Sequence, residues 1–196
     1  PRVGFLIALI LLSVGVRLIP YVSADPTSLS YLWGVTPLFA ICLFGAAYYE
    51  EQRYAYLVPL ASYFASDLLI GIISGRIEWA FYDNQPFVYL GVALNVAIGF
   101  LLRKHRSWGT IFGAGIVGGL VFFLVSNFGV WATADRGIHP ASLDGLFNVY
   151  VLGLPFYRNL TVSTLLFSAL LFSPLGVRTL ASQDEREPVR EHARRP

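Results

Sequence analysis

The 196 residues are 56% hydrophobic and only 13% charged, with a mean hydropathy of +0.61. A soluble chain typically carries about 25% charged residues, so an ordinary soluble domain is excluded. The formal net charge of +2 is too small for a nucleic-acid binder. The one cysteine, Cys42, can form no intrachain disulfide and has no neighbour at metal-ligand spacing.

The charges are also unevenly spread. Crossing roughly 30 Å of hydrocarbon takes about 20 helical residues, because only closed hydrogen bonding satisfies the backbone there. Six runs meet that need: residues 3–20, 31–49, 55–74, 86–102, 108–131 and 160–177. The predicted fold is therefore all-α, an integral membrane bundle of six transmembrane helices. The first run carries Gly4 and Ala8 four residues apart and ends near Arg17. Arg2, this run and Val22-Ser23-Ala24 outline a signal peptide, but Arg17 interrupts the apolar stretch and its length exceeds a usual signal core. The absence of any Met, initiator included, implies a start that is processed or trimmed.

Pro37 and Pro59 fall inside the second and third runs, where each removes a backbone hydrogen bond. Asp67 lies deep in the third run and Asn95 near the middle of the fourth. The fifth carries Gly109, Gly113, Gly115, Gly118 and Gly119, a small-residue face that lets helices approach closely. Residues 143–157 are apolar but hold Gly153 and Pro155, and read as a short re-entrant or interfacial helix before the last span. Residues 183–196 alternate acids and arginines, and residues 179–196 are predicted as a disordered cytoplasmic tail beyond the transmembrane domain of residues 1–178.

Positive charge orients the bundle. Arg2, Arg53, Arg103, Lys104, Arg106 and five tail arginines fall on one side, against Arg17, Arg76, Arg136 and Arg158 on the other. Ten against four makes the richer side, with both termini, cytoplasmic.

Ionisable side chains inside spans are costly and usually face a protein interior or a cavity. Arg17, Asp67, Asn127, Arg158 and Asn159 share one depth towards the outer side. Two readings follow. One is a pocket open to the outside, with Trp131 and Tyr150 as stacking surfaces; the other is an ion pair of Asp67 with Arg17 or Arg158 that holds helices together. No nucleophile elbow, zinc-protease motif or phosphate-binding loop occurs, so no enzymatic activity and no cofactor are expected.

Several phrases carry a resemblance. They include Thr36-Pro37, Phe44-Gly45-Ala46-Ala47-Tyr48, Ser66-Asp67-Leu68-Leu69-Ile70-Gly71, Phe87-Val88-Tyr89-Leu90, Ser126-Asn127-Phe128-Gly129-Val130-Trp131 and Leu154-Pro155-Phe156-Tyr157-Arg158-Asn159. In this order they resemble an uncharacterised family of small bacterial membrane proteins, a domain of unknown function. The pattern departs near Thr164, where an acid would follow the Arg-Asn pair. The family is similar in form to the substrate-binding S components of energy-coupling-factor transporters. That resemblance implies a multi-pass subunit of the bacterial cytoplasmic (inner) membrane that captures a small solute from outside. It also implies membrane partners docked on small-residue faces, for which Gly4, Ala8, Gly115 and Gly119 are candidates. The alternative is a non-catalytic accessory or structural subunit of a larger membrane complex.

Overall fold

The structure, a computed structural model, describes residues 3–21, 29, 32–134 and 140–185. Arg2, Val22-Ser23-Ala24 and Arg136 lie outside the described residues. Those described are helical or irregular, with no strand among them. The helices are α1 (Val3–Leu18), α2 (Leu38–Tyr48), α3 (Gln52–Ser74), α4 (Gln85–Gly99), α5 (Trp108–Thr133), α6 (Leu143–Leu171) and α7 (Pro174–Glu185).

Four segments are long and apolar enough to cross a membrane: Gly4–Tyr21, Gln52–Ser74, Gln85–Arg103 and Trp108–Thr133. A fifth arises if α6 is counted with the first part of α7, across a 64° bend. Large apolar side chains remain exposed along most of these helices, among them Leu11, Ile72, Leu101, Phe147 and Leu166. So much uncovered apolar surface is what a lipid environment requires and water penalises.

Two sequence expectations change at the element level. The second expected span, 31–49, holds a helix of only 11 residues. At about 1.5 Å per residue it is some 17 Å long, half the hydrocarbon thickness. It can be short because it lies inside the protein: every residue from Leu38 to Ala47 is buried. A helix that is apolar on all sides belongs in a core. Its partners are α3, α4, α5 and α6. Phe44 gathers Phe5, Tyr48, Tyr49 and Phe172 around it.

The second change concerns residues 143–157, expected as a separate re-entrant helix. They continue without a break into the last helix, giving 29 residues in α6 with Pro155 inside. Proline removes one backbone bond, but the turns on either side hold, and Gly153 is packed hard against α5. The expected disordered tail also begins within α7, which runs to Glu185 and buries Leu180 against the core. Residues 186–196 lie outside the described residues.

Gly115, Gly118, Gly119 and Gly129 of α5 pack within the chain, whereas Gly113 faces open space. A Cβ on Gly118 would meet Asn95 Oδ1 at 2.2 Å, and one on Gly129 would meet Phe87 Cβ at 2.5 Å. Asn95, buried mid-helix, donates to Gly91 O at 2.9 Å and to Gly118 O at 3.0 Å, bonding α4 to α5. Gly115 and Gly119 face Thr164 and Thr161 of α6, so they are covered and present no face to a partner. Gly4 and Ala8, by contrast, are exposed on α1.

Candidate functional site

The site lies where α1 ends, α2 begins, α3 ends and α4 begins. Arg17, in the last turn of α1, reaches across to α3. Its Nη2 pairs with Asp67 Oδ1 at 2.6 Å, and its Nη1 donates to Tyr63 O at 3.2 Å and to Ser66 Oγ. The guanidinium lies 3.9 Å above the Tyr63 ring centre, where the ring's negative face attracts a cation. Tyr63, Ser66 and Asp67 can meet one side chain because residues three and four apart share a helix face.

Asp67 is buried, 1% exposed, whereas Arg17 keeps 20% of its side chain open. The second carboxylate oxygen accepts from Gln85 Nε2 at 3.3 Å and from Tyr82 Oη at 3.5 Å. Gln85 also donates to Ala80 O at 2.9 Å, which anchors the connection between α3 and α4. Burial pushes the Tyr82 phenol above its ordinary value, so it stays protonated and able to donate.

In front of Arg17 is a cavity of about 240 Å³. Six aromatic side chains, Tyr21, Trp33, Phe39, Tyr63, Phe122 and Phe156, line it around the guanidinium. A second cavity of about 430 Å³ shares Tyr63, Phe122 and Phe156 with the first, and adds Tyr82, Ser126 and Asn127. Asn127 is set by its own donation to Phe123 O at 2.8 Å and by close packing on Gly153.

The floor of the first cavity is the turn that enters α2. Gly34 adopts φ +86°, a left-handed conformation that favours glycine, and a Cβ there would sit 3.0 Å from Phe156 O. The turn is tied to α6: Asn159 Nδ2 donates to Trp33 O at 2.9 Å, and Thr36 N donates to Ser163 Oγ at 3.3 Å. Trp33 stacks on Phe156 with ring centres 6.3 Å apart. The N-terminal end of α2 is thereby held at the cavity, a position that favours negative charge.

A profile of a family of unknown function, DUF6580, matches residues 1–185. The chain belongs to that family. No curated protein and no solved structure matches it.

Of the residues expected at the site, this DUF6580 member brings Arg17 and Asp67 together and sets Asn127 in the adjoining cavity. Asn159 braces the floor. Trp131 and Tyr150 line neither cavity: Trp131 Nε1 donates to Pro140 O at 3.1 Å, and Tyr150 Oη donates to Leu124 O at 3.1 Å. Arg158 is on the outer face of α6, away from Asp67, because the unbroken helix turns it outward while Asn159 faces in. Tyr63, Ser66, Tyr82 and Gln85 join the site beyond the residues the sequence marks. The spacing of Tyr63 and Ser66 relative to Asp67 was a usable signal; nothing local marks Tyr82 or Gln85, which a connection carries there. Among the described residues no three His, Cys, Asp or Glu side chains gather as a metal site.

Proposed function

We propose that this protein is a substrate-binding subunit of the bacterial cytoplasmic membrane, similar in role to the S components of energy-coupling-factor transporters. Six helices make up its membrane domain, with α2 as a half-length member and both termini cytoplasmic. It captures a small solute from the outer side in the paired aromatic cavities. The observation that carries this reading is the guanidinium of Arg17. It is held rigidly by Asp67, Ser66 and Tyr63, yet stays partly open to a chamber of aromatic rings. Aromatic walls with a few fixed polar groups are the usual make-up of a small-molecule site. Arg17 and the N-terminal end of α2 both favour a negative group on that solute. Gly4 and Ala8, exposed on α1, supply a close-approach face for a membrane partner.

A native mass spectrum of the gently purified protein is expected to carry a small-molecule adduct. Ser126→Trp, which fills the second cavity from its wall, should remove the adduct while leaving the melting temperature near that of the parent. A bare protein that instead travels with one large membrane complex would favour the second reading, an accessory subunit. That reading draws on one observation, the near-complete set of partners that Arg17 already has within the chain.

A further inference from the structure

The outer face of α6 carries a stripe of residues four apart: Leu154, Arg158, Val162, Leu166 and Leu170. The four apolar members are each more than half exposed. Arg158, at the sixteenth position of the 29-residue helix, is the single charge among them. Its one hydrogen bond goes to the neighbouring Asn159 Oδ1 at a long 3.4 Å. It lines a shallow groove with Leu154, Pro155, Tyr157, Thr161 and Val162.

Its depth can be read from α5. Tyr157 packs on Phe123 with ring centres 5.2 Å apart, and its ring would lie 3.5 Å from a Cβ on Gly119. At about 1.5 Å per residue, that level is roughly 17 to 23 Å from Trp108 and roughly 12 to 18 Å from Trp131. Indole rings such as these favour the two membrane interfaces. Arg158 therefore stands nearer the middle of the bilayer than the outer depth expected from the sequence, on an outward face.

On the membrane reading proposed above, we infer that this stripe docks a transmembrane helix of a partner protein carrying an Asp or Glu at mid-depth. An unpaired cation in hydrocarbon is costly, and a carboxylate at the same level removes that cost. The described residues of a second copy offer no such group. Among the described residues, Asp67 is enclosed with Arg17, and the other acids lie in connections or at helix ends. Lipid phosphates lie at the headgroups, a further half-thickness away.

The test reconstitutes the full chain in phosphatidylcholine vesicles, with a fluorophore on Lys104→Cys in a Cys42→Ala background. The probe is a labelled polyleucine spanning peptide with one central Asp, compared with its all-leucine counterpart. Energy transfer should report about tenfold tighter association of the Asp peptide. Arg158→Leu should abolish that preference and Arg158→Lys should keep most of it. Both variants should melt as the parent does, since Arg158 has no buried contact. Equal association of the two peptides, or a preference that survives Arg158→Leu, overturns the inference. So does an Arg158-dependent dimer without peptide, or loss of the preference when phosphatidylglycerol is added, which would assign the stripe to a second copy or to lipid. Release of the chain from membranes by alkaline wash would instead overturn the membrane reading itself.

Discussion

Arg17 and Asp67 form a buried pair in which each partner needs the other. With Asp67→Asn, the guanidinium keeps only neutral acceptors and the Tyr63 ring. Removing one member of a buried pair typically costs about 3 to 5 kcal/mol, and the opening of Arg17 to the cavity places the expected loss near the lower end, about 3 kcal/mol. The double variant Arg17→Met with Asp67→Leu should regain most of that loss, because an apolar pair of similar volume removes both desolvation costs. Thermal unfolding in detergent micelles measures both. If the double variant is as unstable as Asp67→Asn, the pair is not the source of the effect. If it is stable but loses the small-molecule adduct, the pair belongs to the site as well as to the scaffold.

Much of this was legible residue by residue. An Asp and an Arg isolated in apolar runs had to find partners, and Asp67 with Arg17 was one of two pairings open to it. Choosing between Arg17 and Arg158 needed the helical phase of α6. That phase depends on whether the helix breaks at Gly153 and Pro155. It does not break, and Arg158 faces away.

At the scale of elements, α2 is the most informative. A half-length helix inside a bundle must satisfy both of its ends within the protein. At the N-terminal end, Thr36 Oγ1 accepts from Leu38 N at 3.2 Å, and α6 secures the preceding turn. At the C-terminal end, Arg103 donates from Nε to Ala46 O at 2.8 Å and from Nη2 to Tyr49 O at 2.7 Å. Arg106 Nη1 donates to Ala47 O at 3.1 Å. Cations at the negative end of a helix, bonded to its free carbonyls, stabilise it twice over. Charge count assigned Arg103 and Arg106 to topology alone; their capping role became visible only when α4 was folded against α2. Arg103→Ala should cost about 2 kcal/mol, the usual worth of a hydrogen bond to a charged group. Amide exchange should accelerate first around Phe44 to Tyr48. Uniform exchange across the whole bundle would argue against a local capping role.

At the scale of the molecule, the connections between helices fall into a basic set and an acidic set. Arg53, Arg103, Lys104, Arg106 and Arg178 lie at one end with Glu50 and Glu51; Glu78, Asp83 and Asp144 lie at the other with Arg76. In inverted and right-side-out vesicles, a Cys at Lys104 should react only from the cytoplasmic face and a Cys at Glu78 only from the opposite face. Both measurements use a Cys42→Ala background, although Cys42 is itself buried. Labelling of both positions from one side would overturn the proposed orientation.

The sequence by itself determined the class of structure. Composition and the length of its apolar runs permit only helices with apolar surfaces, since no other local arrangement satisfies a backbone without water. It also marked Arg17 and Asp67 as residues that could not stand alone. Tertiary structure decided which helices are short, which are continuous and which way each charge faces. Those outcomes depend on packing between elements far apart in the chain. An 11-residue helix is stable only because four others enclose it, and Arg158 is exposed only because Gly153 lets α6 run unbroken against α5.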